Sequence, residues 1–336
     1  MPVARAFSEI RLVNGSTGDP ALYIDYPGLD NALLFDAGEN GNLDLKRLAD
    51  LEAVFLTHHH IDHFIGFDRI LRANLDKDKE LRIFGPGGTI TRIYQRLKSY
   101  DFQYFSFMKI ALNVVELEPG VRRQARMECA KKFPEPVISE DAWTERTIYE
   151  NPYLTIEAVS VEHTTPCLAY ALVEKPGYHP DPDKLAVSPL RPGSWVPLVL
   201  DQLRSGSPME TLVNVEGGQF SLGRLAEMGF SGSPGSRVTF VTDTIWNDST
   251  KAALLPLAKN SWRLYCDSYY AIGQLKNAVT HKHMTATHAA EFAKLAKVDQ
   301  LILMHFAPRY AGRYGHLVDE AKAIFPRTTA DLGETA

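Results

Sequence analysis

The sequence predicts an α/β protein in which layered sheets are covered by helices on their outer faces. Short apolar runs with strand character alternate with amphipathic stretches of helical period in both halves of the chain. Several of the apolar runs also end in a His or an Asp. Recurring strand, loop and helix units bury one face of each helix against a sheet, so a layered sandwich is the expected architecture.

The composition is that of an ordinary globular protein. The 336 residues include 36 Lys and Arg against 41 Asp and Glu, a net charge of −5, and 45% of the residues are apolar. Such a chain can bury a large core, which excludes disordered, collagen-like and coiled-coil proteins. The charge balance also argues against a broadly basic nucleic-acid coat. We expect a single domain over residues 1–336.

The cysteine count and the length of the apolar segments indicate the cellular compartment of the protein. Three cysteines (Cys129, Cys167 and Cys266) are an odd number and predict no disulfide framework, which suits a reducing compartment. Residues 1–10 lack the apolar core of a signal peptide. No window reaches the roughly 18 apolar residues of a membrane helix. We therefore expect a cytoplasmic protein that does not bind membranes, and we expect it to form a homodimer.

The elements follow in order along the chain. Strands are expected at 4–13, 21–26, 31–38 and 53–57, with a polar helical stretch before the last of them. A helix follows from residue 62, because apolar residues recur at helical spacing through residue 75. The alternation continues to residue 120. A second series of strands is expected in five apolar runs, at 154–161, 168–174, 237–243, 263–269 and 301–305.

Two segments interrupt this alternation. Residues 120–150 join a basic cluster to an acidic run and are expected to be an insertion. The basic cluster consists of Arg122, Arg123, Arg126, Lys131 and Lys132. Residues 176–208 hold seven of the 20 prolines. They are expected to form a Pro-rich arm within the domain, because strand-like segments flank them on both sides.

The strongest chemical signal is a histidine motif between the strand at 53–57 and the following helix. His58 and His60 are two residues apart and leave an extended backbone on the same side, while Asp62 and His63 lie in the first helical turn. Imidazole and carboxylate groups are the ligands that suit zinc and related divalent ions. His59 falls between the ligand positions. The alternative interpretation is a polar loop with a fortuitous run of histidines.

Three further candidates each follow an apolar strand: His163, Asp243 and His305. Side chains at neighbouring strand ends meet at one edge of a sheet, which is where α/β folds place their sites. Each residue alone has the alternative of capping a turn. Together with the histidine motif they supply enough ligands for two metals.

These residues resemble the metallo-β-lactamase superfamily, whose H-x-H-x-D-H motif matches residues 58–63. Within it, the segments at 163–175, 238–244 and 301–310 resemble the ribonuclease Z (tRNA 3′-endonuclease) group, and the resemblance extends over roughly residues 7–325. It implies an αββα four-layer sandwich that carries the Pro-rich arm.

The resemblance also implies a dinuclear metal centre. One metal takes His58, His60 and His163, the other takes Asp62, His63 and His305, and Asp243 bridges them. Zinc is expected, with manganese or iron as alternatives. Two carboxylates against two divalent cations leave the site at about +2, which attracts an anionic phosphodiester substrate. Metal-bound hydroxide would hydrolyse it, with Asp62 orienting or deprotonating the water.

A last motif, at residues 281–285, precedes a predicted helix at 287–297. In the ribonuclease Z group a histidine here contacts the scissile phosphate and protonates the leaving oxygen, and His283 matches it. Its carboxylate partner matches Asp267, where Asp replaces the usual Glu and Cys266 the usual His. The alternative is that Thr285 caps the helix and His283 is solvated nearby.

The sequence indicates the type of reaction more closely than it indicates the substrate. Within residues 174–204 four basic residues are offset by four acidic ones, so the arm does not predict a grip on tRNA phosphates. The basic cluster is either an RNA contact or a solvated helix face. We therefore expect a ribonuclease Z-like phosphodiesterase, with the tRNA 3′ end as a candidate substrate. The alternatives are a hydrolase of a small ester, lactone or cyclic phosphodiester, and a non-catalytic metal-containing binding protein.

Overall fold

The computed structural model describes residues 9–25, 32–101 and 108–332. Within them, the first large sheet has eight strands arranged in chain order. These are β1 (Glu9–Leu12), β2 (Leu22–Asp25), β3 (Ala32–Phe35), β4 (Leu51–Phe55), β5 (Glu80–Pro86), β6 (Ala111–Glu118), β7 (Gly120–Glu128) and β8 (Ser139–Trp143). The central strands β3 to β6 are parallel, and antiparallel strands flank them on both sides. Residues 4–8 of the expected first strand lie outside the described residues.

The second large sheet has seven strands. These are β9 (Thr147–Glu150), β10 (Leu154–Val161), β11 (Cys167–Glu174), β16 (Arg237–Val241), β17 (Arg263–Asp267), β18 (Gln300–Met304) and β19 (Thr328–Ala330). They lie in the order β19-β18-β17-β16-β11-β10-β9. The strands β16 to β19 run parallel, so their carboxyl ends meet at one edge.

Eleven helices are present in the described ranges, and seven of them cover or border the large sheets. Four accompany the first sheet: α1 (Leu45–Ala49), α2 (Ile61–Phe64), α3 (Phe67–Asn74) and α4 (Thr89–Lys98). Three accompany the second: α8 (Asp248–Ala258), α10 (Ala286–Ala296) and α11 (Gly315–Lys322). A further short helix is α9 (Leu275–His281), which ends two residues before His283. None of the helices in the described residues has the length and apolar character needed to span a bilayer.

Three apolar clusters fill the spaces between these layers. The cluster between the two sheets is rich in aromatic side chains. The rings of Phe35 and Phe55 are stacked with centroids 4.9 Å apart, and Tyr170 packs against both rings. The other two clusters lie between each sheet and its helices. Each large sheet is thus buried on both faces, and the expected αββα four-layer sandwich is confirmed.

Residues 120–150 continue the sheets. Strand β7 pairs with β6 along its whole length, β8 pairs with β7, and β9 lies at the edge of the second sheet. The interpretation of the basic cluster as a helix face is therefore wrong, since its arginines lie on a strand. Whether the segment is an insertion relative to similar proteins stays a prediction.

The chain leaves the second sheet at Glu174 and returns at Arg237, so the excursion is longer than the arm expected at 176–208. It contains α5 (Pro182–Val187), α6 (Trp195–Arg204), α7 (Leu222–Gly229) and two small sheets that pair β12 (Gly177–Pro180) with β15 (Phe230–Ser233) and β13 (Leu212–Val215) with β14 (Gly218–Ser221). Residues from both halves build one apolar core, in which Trp195 contacts Phe230 edge-on at 6.1 Å. We call residues 175–236 the arm module.

Candidate metal centre

The candidate centre lies at the carboxyl ends of the strands in both large sheets. His58 and His60 occupy the loop after β4, and Asp62 and His63 lie in α2 directly behind it. His163 follows β10, Asp243 follows β16, Asp267 ends β17 and His305 follows β18. His283 lies between α9 and α10. The structure brings all nine predicted site residues together.

Four of these residues have donor atoms at the spacing of ligands around one ion. His60 Nδ1 lies 3.0 Å from His58 Nε2 and 3.4 Å from His163 Nε2. Asp243 Oδ2 lies 3.5 Å from His58 Nε2 and 3.6 Å from His163 Nε2. Zinc–nitrogen bonds of about 2.0–2.1 Å place tetrahedral ligands about 3.3–3.4 Å apart. The donor set and its spacing therefore fit a divalent ion.

A second group lies on the other side of Asp243. Asp62 Oδ2 is 3.5 Å from His63 Nε2 and 3.2 Å from His305 Nε2, while Asp243 Oδ2 is 3.6 Å from His63 Nε2. Asp243 therefore faces both groups, as a bridging ligand requires. One buried nitrogen, His63 Nε2, makes no hydrogen bond within the described structure, whereas His305 Nδ1 lies 2.9 Å from Asp243 Oδ1. Buried polar atoms are normally satisfied, so His63 Nε2 also indicates a metal ion.

The non-ligating nitrogens of three histidines are held by neighbouring groups. His63 Nδ1 donates to Asp36 Oδ2 at 2.7 Å, and His163 Nδ1 donates to the Lys282 carbonyl at 3.1 Å. His58 Nδ1 lies 3.1 Å from the Thr57 hydroxyl, which itself donates to Asp36 at 2.8 Å. Such contacts fix the tautomer and orientation of metal-binding imidazoles.

Sequence reasoning missed Asp36, although a signal was present. Asp36 follows β3 directly, as other predicted site residues follow their strands, and it is fully buried. It also shares an unusual backbone conformation with Asp243 and His305, whose φ angles are 48° and 59° against 58° at Asp36. Left-handed backbone at a residue other than glycine costs of order 1 kcal/mol and is common at functional sites.

The protonation states of most residues in the site suit a cation. Burial lowers the pKa of His58 to about 2 and also lowers the pKa of His163, so both imidazoles are neutral. Burial alone would raise the pKa of Asp243, but the charges of His305 and His63 hold it well below its usual range. The hydrogen bond from His305 likewise outweighs burial and lowers the pKa of Asp62. His58, His163 and the two carboxylates thus have the protonation states that bind metals. Although burial opposes it, the neighbouring carboxylates raise the pKa of His63 and His305, so a bound ion would displace their protons.

His283 lies beside the metal ligands. Its Nδ1 donates to Asp267 Oδ2 at 3.0 Å, so the shorter Asp side chain does reach, and its Nε2 lies 4.0 Å from Asp243 Oδ2. Burial would lower the pKa of His283, but the charge and hydrogen bond of Asp267 raise it. Thr285 caps α10 by accepting from the His288 amide. The cap therefore exists, but His283 is not solvated, since its side chain is only 11% exposed.

His59 lies away from these atoms, as expected. Its Nε2 is 2.8 Å from the Thr89 hydroxyl at the start of α4, and its ring packs edge-on against Phe64. Burial lowers the pKa of His59 to about 3, so the ring is neutral. His59 thus joins the loop after β4 to α4 and α2.

The chain is similar to several known proteins. Residues 27–172 match the beta-lactamase superfamily domain. The ribonuclease Z of Deinococcus radiodurans is 28% identical over 319 residues, which cover 92% of this chain and 93% of that protein. The metallo-β-lactamase fold protein YhfI of Bacillus subtilis superposes with a TM-score of 0.55 at 16% identity, covering 95% and 93% of the two chains. The short form of human tRNase Z superposes with a TM-score of 0.51 at 15% sequence identity, covering 90% of this chain and 93% of that chain. At these identities the solved structures show a shared fold.

Proposed function

We propose, from the match of residues 27–172 to the beta-lactamase superfamily domain, that the chain is a metal-dependent phosphodiesterase of the ribonuclease Z type. The observation that carries the proposal is the convergence of two ligand groups on Asp243, with the His283–Asp267 pair directly beside them. A structural zinc site is closed by four ligands and has no use for a second ion or a neighbouring acid.

Two divalent ions would be held by the residues named above. His58, His60 and His163 would bind one, Asp62, His63 and His305 the other, and Asp243 both. We propose zinc, with manganese or iron as alternatives. When bound, such a pair activates water near neutral pH and stabilises the attacking and leaving oxygens of an in-line displacement at phosphorus.

The remaining chemistry belongs to the side chains. The Asp62 carboxylate is partly exposed, with 37% of its side chain accessible, so it can accept a hydrogen bond from the attacking water and orient it. His283, protonated through Asp267, can donate from Nε2 to the leaving oxygen. His283 Nδ1 is bonded to Asp267, and His283 Nε2 lies 4.0 Å from Asp243 Oδ2, so a proton on Nε2 is next to the proposed metal centre.

We further propose that the substrate is an RNA phosphodiester, with the 3′ end of a precursor tRNA as the first choice. The relative from Deinococcus radiodurans is named ribonuclease Z and aligns over nearly its whole length. A net positive metal centre attracts an anionic substrate although the chain as a whole is acidic. We propose a cytoplasmic homodimer as the working form.

A small phosphodiester, ester or lactone is the second candidate, and surface charge favours it. On β7, Arg122 pairs with Asp141 at 2.8 Å, Arg123 with Glu140 at 2.8 Å and Arg126 with Glu80 at 2.8 Å. Residues 174–204, which include most of the arm predicted at 176–208, carry no net charge. Paired arginines have fewer free donors for RNA phosphates, so neither surface favours a grip on a tRNA body.

A side-by-side assay tests the proposal. Purified protein loaded with zinc or manganese is incubated with a precursor tRNA, a cyclic nucleotide, a lactone and bis(p-nitrophenyl) phosphate, next to an Asp243→Asn variant. We expect phosphodiester cleavage by the wild type and strong loss in the variant. Hydrolysis of the lactone alone would contradict the phosphodiesterase. Metal binding without any hydrolysis would favour a binding protein.

A further inference from the structure

We propose that Tyr269 is a positioning residue that fixes the ring plane of His283 and so aims its Nε2 at the metal centre. The inference rests on the proposed function, in which His283 donates a proton to the leaving oxygen. Tyr269 lies just after β17, two residues beyond Asp267. It is not one of the residues that the sequence motifs single out.

Asp267 alone does not determine the orientation of the imidazole. Its Oδ2 accepts one hydrogen bond from His283 Nδ1, at 3.0 Å. A single hydrogen bond restricts the ring only loosely, because hydrogen bonds tolerate a range of angles. The χ2 angle of histidine is itself broadly distributed, so the side chain supplies no sharp preference. A contact on the face of the ring is therefore needed to set its plane.

Tyr269 makes that contact. The rings of Tyr269 and His283 are stacked, with centroids 4.3 Å apart and planes at 20°. Tyr270 approaches the same imidazole edge-on, at 6.1 Å and 71°. In this orientation His283 Nε2 lies 4.0 Å from Asp243 Oδ2, the oxygen shared by both ligand groups. The stack thus selects the rotation at which Nε2 faces the centre.

Tyr269 is itself fixed by the same carboxylate. Its amide donates to Asp267 Oδ1 at 2.9 Å, while the Met284 amide donates to Oδ2 at 3.2 Å. The Tyr269 carbonyl accepts from the Ala307 amide, two residues after His305. Because Asp267 is fully buried, its carboxylate ties Tyr269 and His283 into one rigid unit.

Two variants separate the stacked ring from the phenol hydroxyl. Tyr269→Leu removes the flat face, and Tyr269→Phe keeps it. For Tyr269→Leu we expect kcat to fall about 3- to 10-fold on a substrate with an alkoxide leaving group, the range that a lost aromatic stack gives. On bis(p-nitrophenyl) phosphate, which needs little acid, the loss should be less than about twofold. KM should stay at the wild-type value, and Tyr269→Phe, which keeps the ring that contacts His283 and also His305 at 5.1 Å, should restore most of kcat and keep the bound metal.

The same measurement in a His283→Ala background isolates the pair. If Tyr269 acts only through His283, adding Tyr269→Leu to His283→Ala should cause no further loss on the alkoxide substrate. Tyr314→Leu is the matched control, because Tyr314 stacks on Phe306 at 5.6 Å and packs against the same core. It should show no loss that depends on the leaving group.

Three results would overturn the proposal. The first is equal loss on both substrates in Tyr269→Leu, and the second is additive loss in the double variant. The third is no effect of Tyr269→Leu although His283→Ala shows leaving-group dependence, which would refute the role of Tyr269 alone. If His283→Ala itself shows no such dependence, the acid role of His283 falls and this inference falls with it.

Discussion

Asp243 is the residue on which the candidate centre converges. Its Oδ2 lies within 3.6 Å of nitrogens from His58, His63 and His163, so one carboxylate serves both ligand groups. We expect two metal ions per chain. Asp243→Ala should lose more metal than His163→Ala, because the first variant weakens both ions and the second only one. Elemental analysis after reconstitution and gel filtration measures both.

Wild-type protein with one ion or none after reconstitution would contradict the dinuclear centre. Equal metal contents in Asp243→Ala and His163→Ala would contradict the bridging position of Asp243. His59→Ala is the matched control, since His59 belongs to the same histidine run but contacts Thr89 instead. It should keep the wild-type metal content.

His283 gives the second prediction at this scale. His283→Ala should keep its metals but lose turnover on substrates with a poor alkoxide leaving group, because general acid catalysis is worth typically 10²–10⁴-fold. A nitrophenolate leaves without help, so the loss on bis(p-nitrophenyl) phosphate should be far smaller. Steady-state kinetics on both substrates make the comparison. Equal losses would mean that His283 has another role.

Strand-end residues were predictable from the sequence, and the residues that orient them were not. A polar residue after an apolar run is visible as a pattern, and this rule places His163, Asp243 and His305 at one edge. The stack of Tyr269 on His283 depends on how two loops meet in space, which no local spacing encodes. Asp36 could have been found by the strand-end rule, but its contact with His63 could not.

At the scale of elements, an ion pair joins α3 to α4. Asp68 accepts from Arg96 Nε and Nη2 at 2.8 and 2.7 Å, and although burial opposes it, this pairing lowers the pKa of Asp68. The pair is partly exposed, so Asp68→Asn should lower the unfolding free energy at pH 7 by no more than about 1 kcal/mol. Asp78→Asn is the control, because it breaks an exposed ion pair with Lys109, and it should change the unfolding free energy less than Asp68→Asn does.

The pH dependence of that difference has a definite sign. A depressed folded-state pKa stabilises the protein above the ordinary Asp pKa of about 3.9, and this contribution disappears as pH falls through the folded-state value. Denaturant titrations of wild type and Asp68→Asn should therefore differ at pH 7 and converge below about pH 4. A difference that persisted at the lowest pH would show that the substitution acts through packing.

The basic cluster shows why element type was harder to predict than element position. Residues 121–128 contain four charged side chains and no long apolar run, so helical and extended backbone are both compatible with their propensities. The buried residues, Ala125 and Met127, are two apart, which is the period of a strand. Pairing with β6 decides the outcome, because that strand offers a complete row of partners.

At the scale of the whole molecule, the arm module is attached at two adjacent points. Val173 on β11 pairs directly with Arg237 on β16, so residues 175–236 begin and end at neighbouring positions. The module has an apolar core separate from those of the sandwich. Prolines are dense only in its first half, and residues 209–236 join the module through apolar contacts with α6, which lies earlier in the chain. A deletion of the whole module is therefore a better experiment than a deletion of the Pro-rich part.

The last prediction concerns how the molecule holds a large substrate. If the arm module grips tRNA, replacing residues 176–235 by a short Gly-Ser linker should abolish tRNA binding while sparing the metal centre, since every ligand lies outside the module.

The charge of the arm predicts a different result. Four basic residues offset by four acidic ones within residues 174–204 create no sustained potential beyond a Debye length of about 8 Å, and the β7 arginines are paired. We therefore expect weak binding by the wild type, with a slope of log affinity against log salt that indicates one or two phosphate contacts. Filter binding across salt concentrations, with the deletion variant beside the wild type, measures both quantities. Submicromolar affinity with a steep slope that the deletion removes would refute the charge argument and establish the arm module as the tRNA-binding surface.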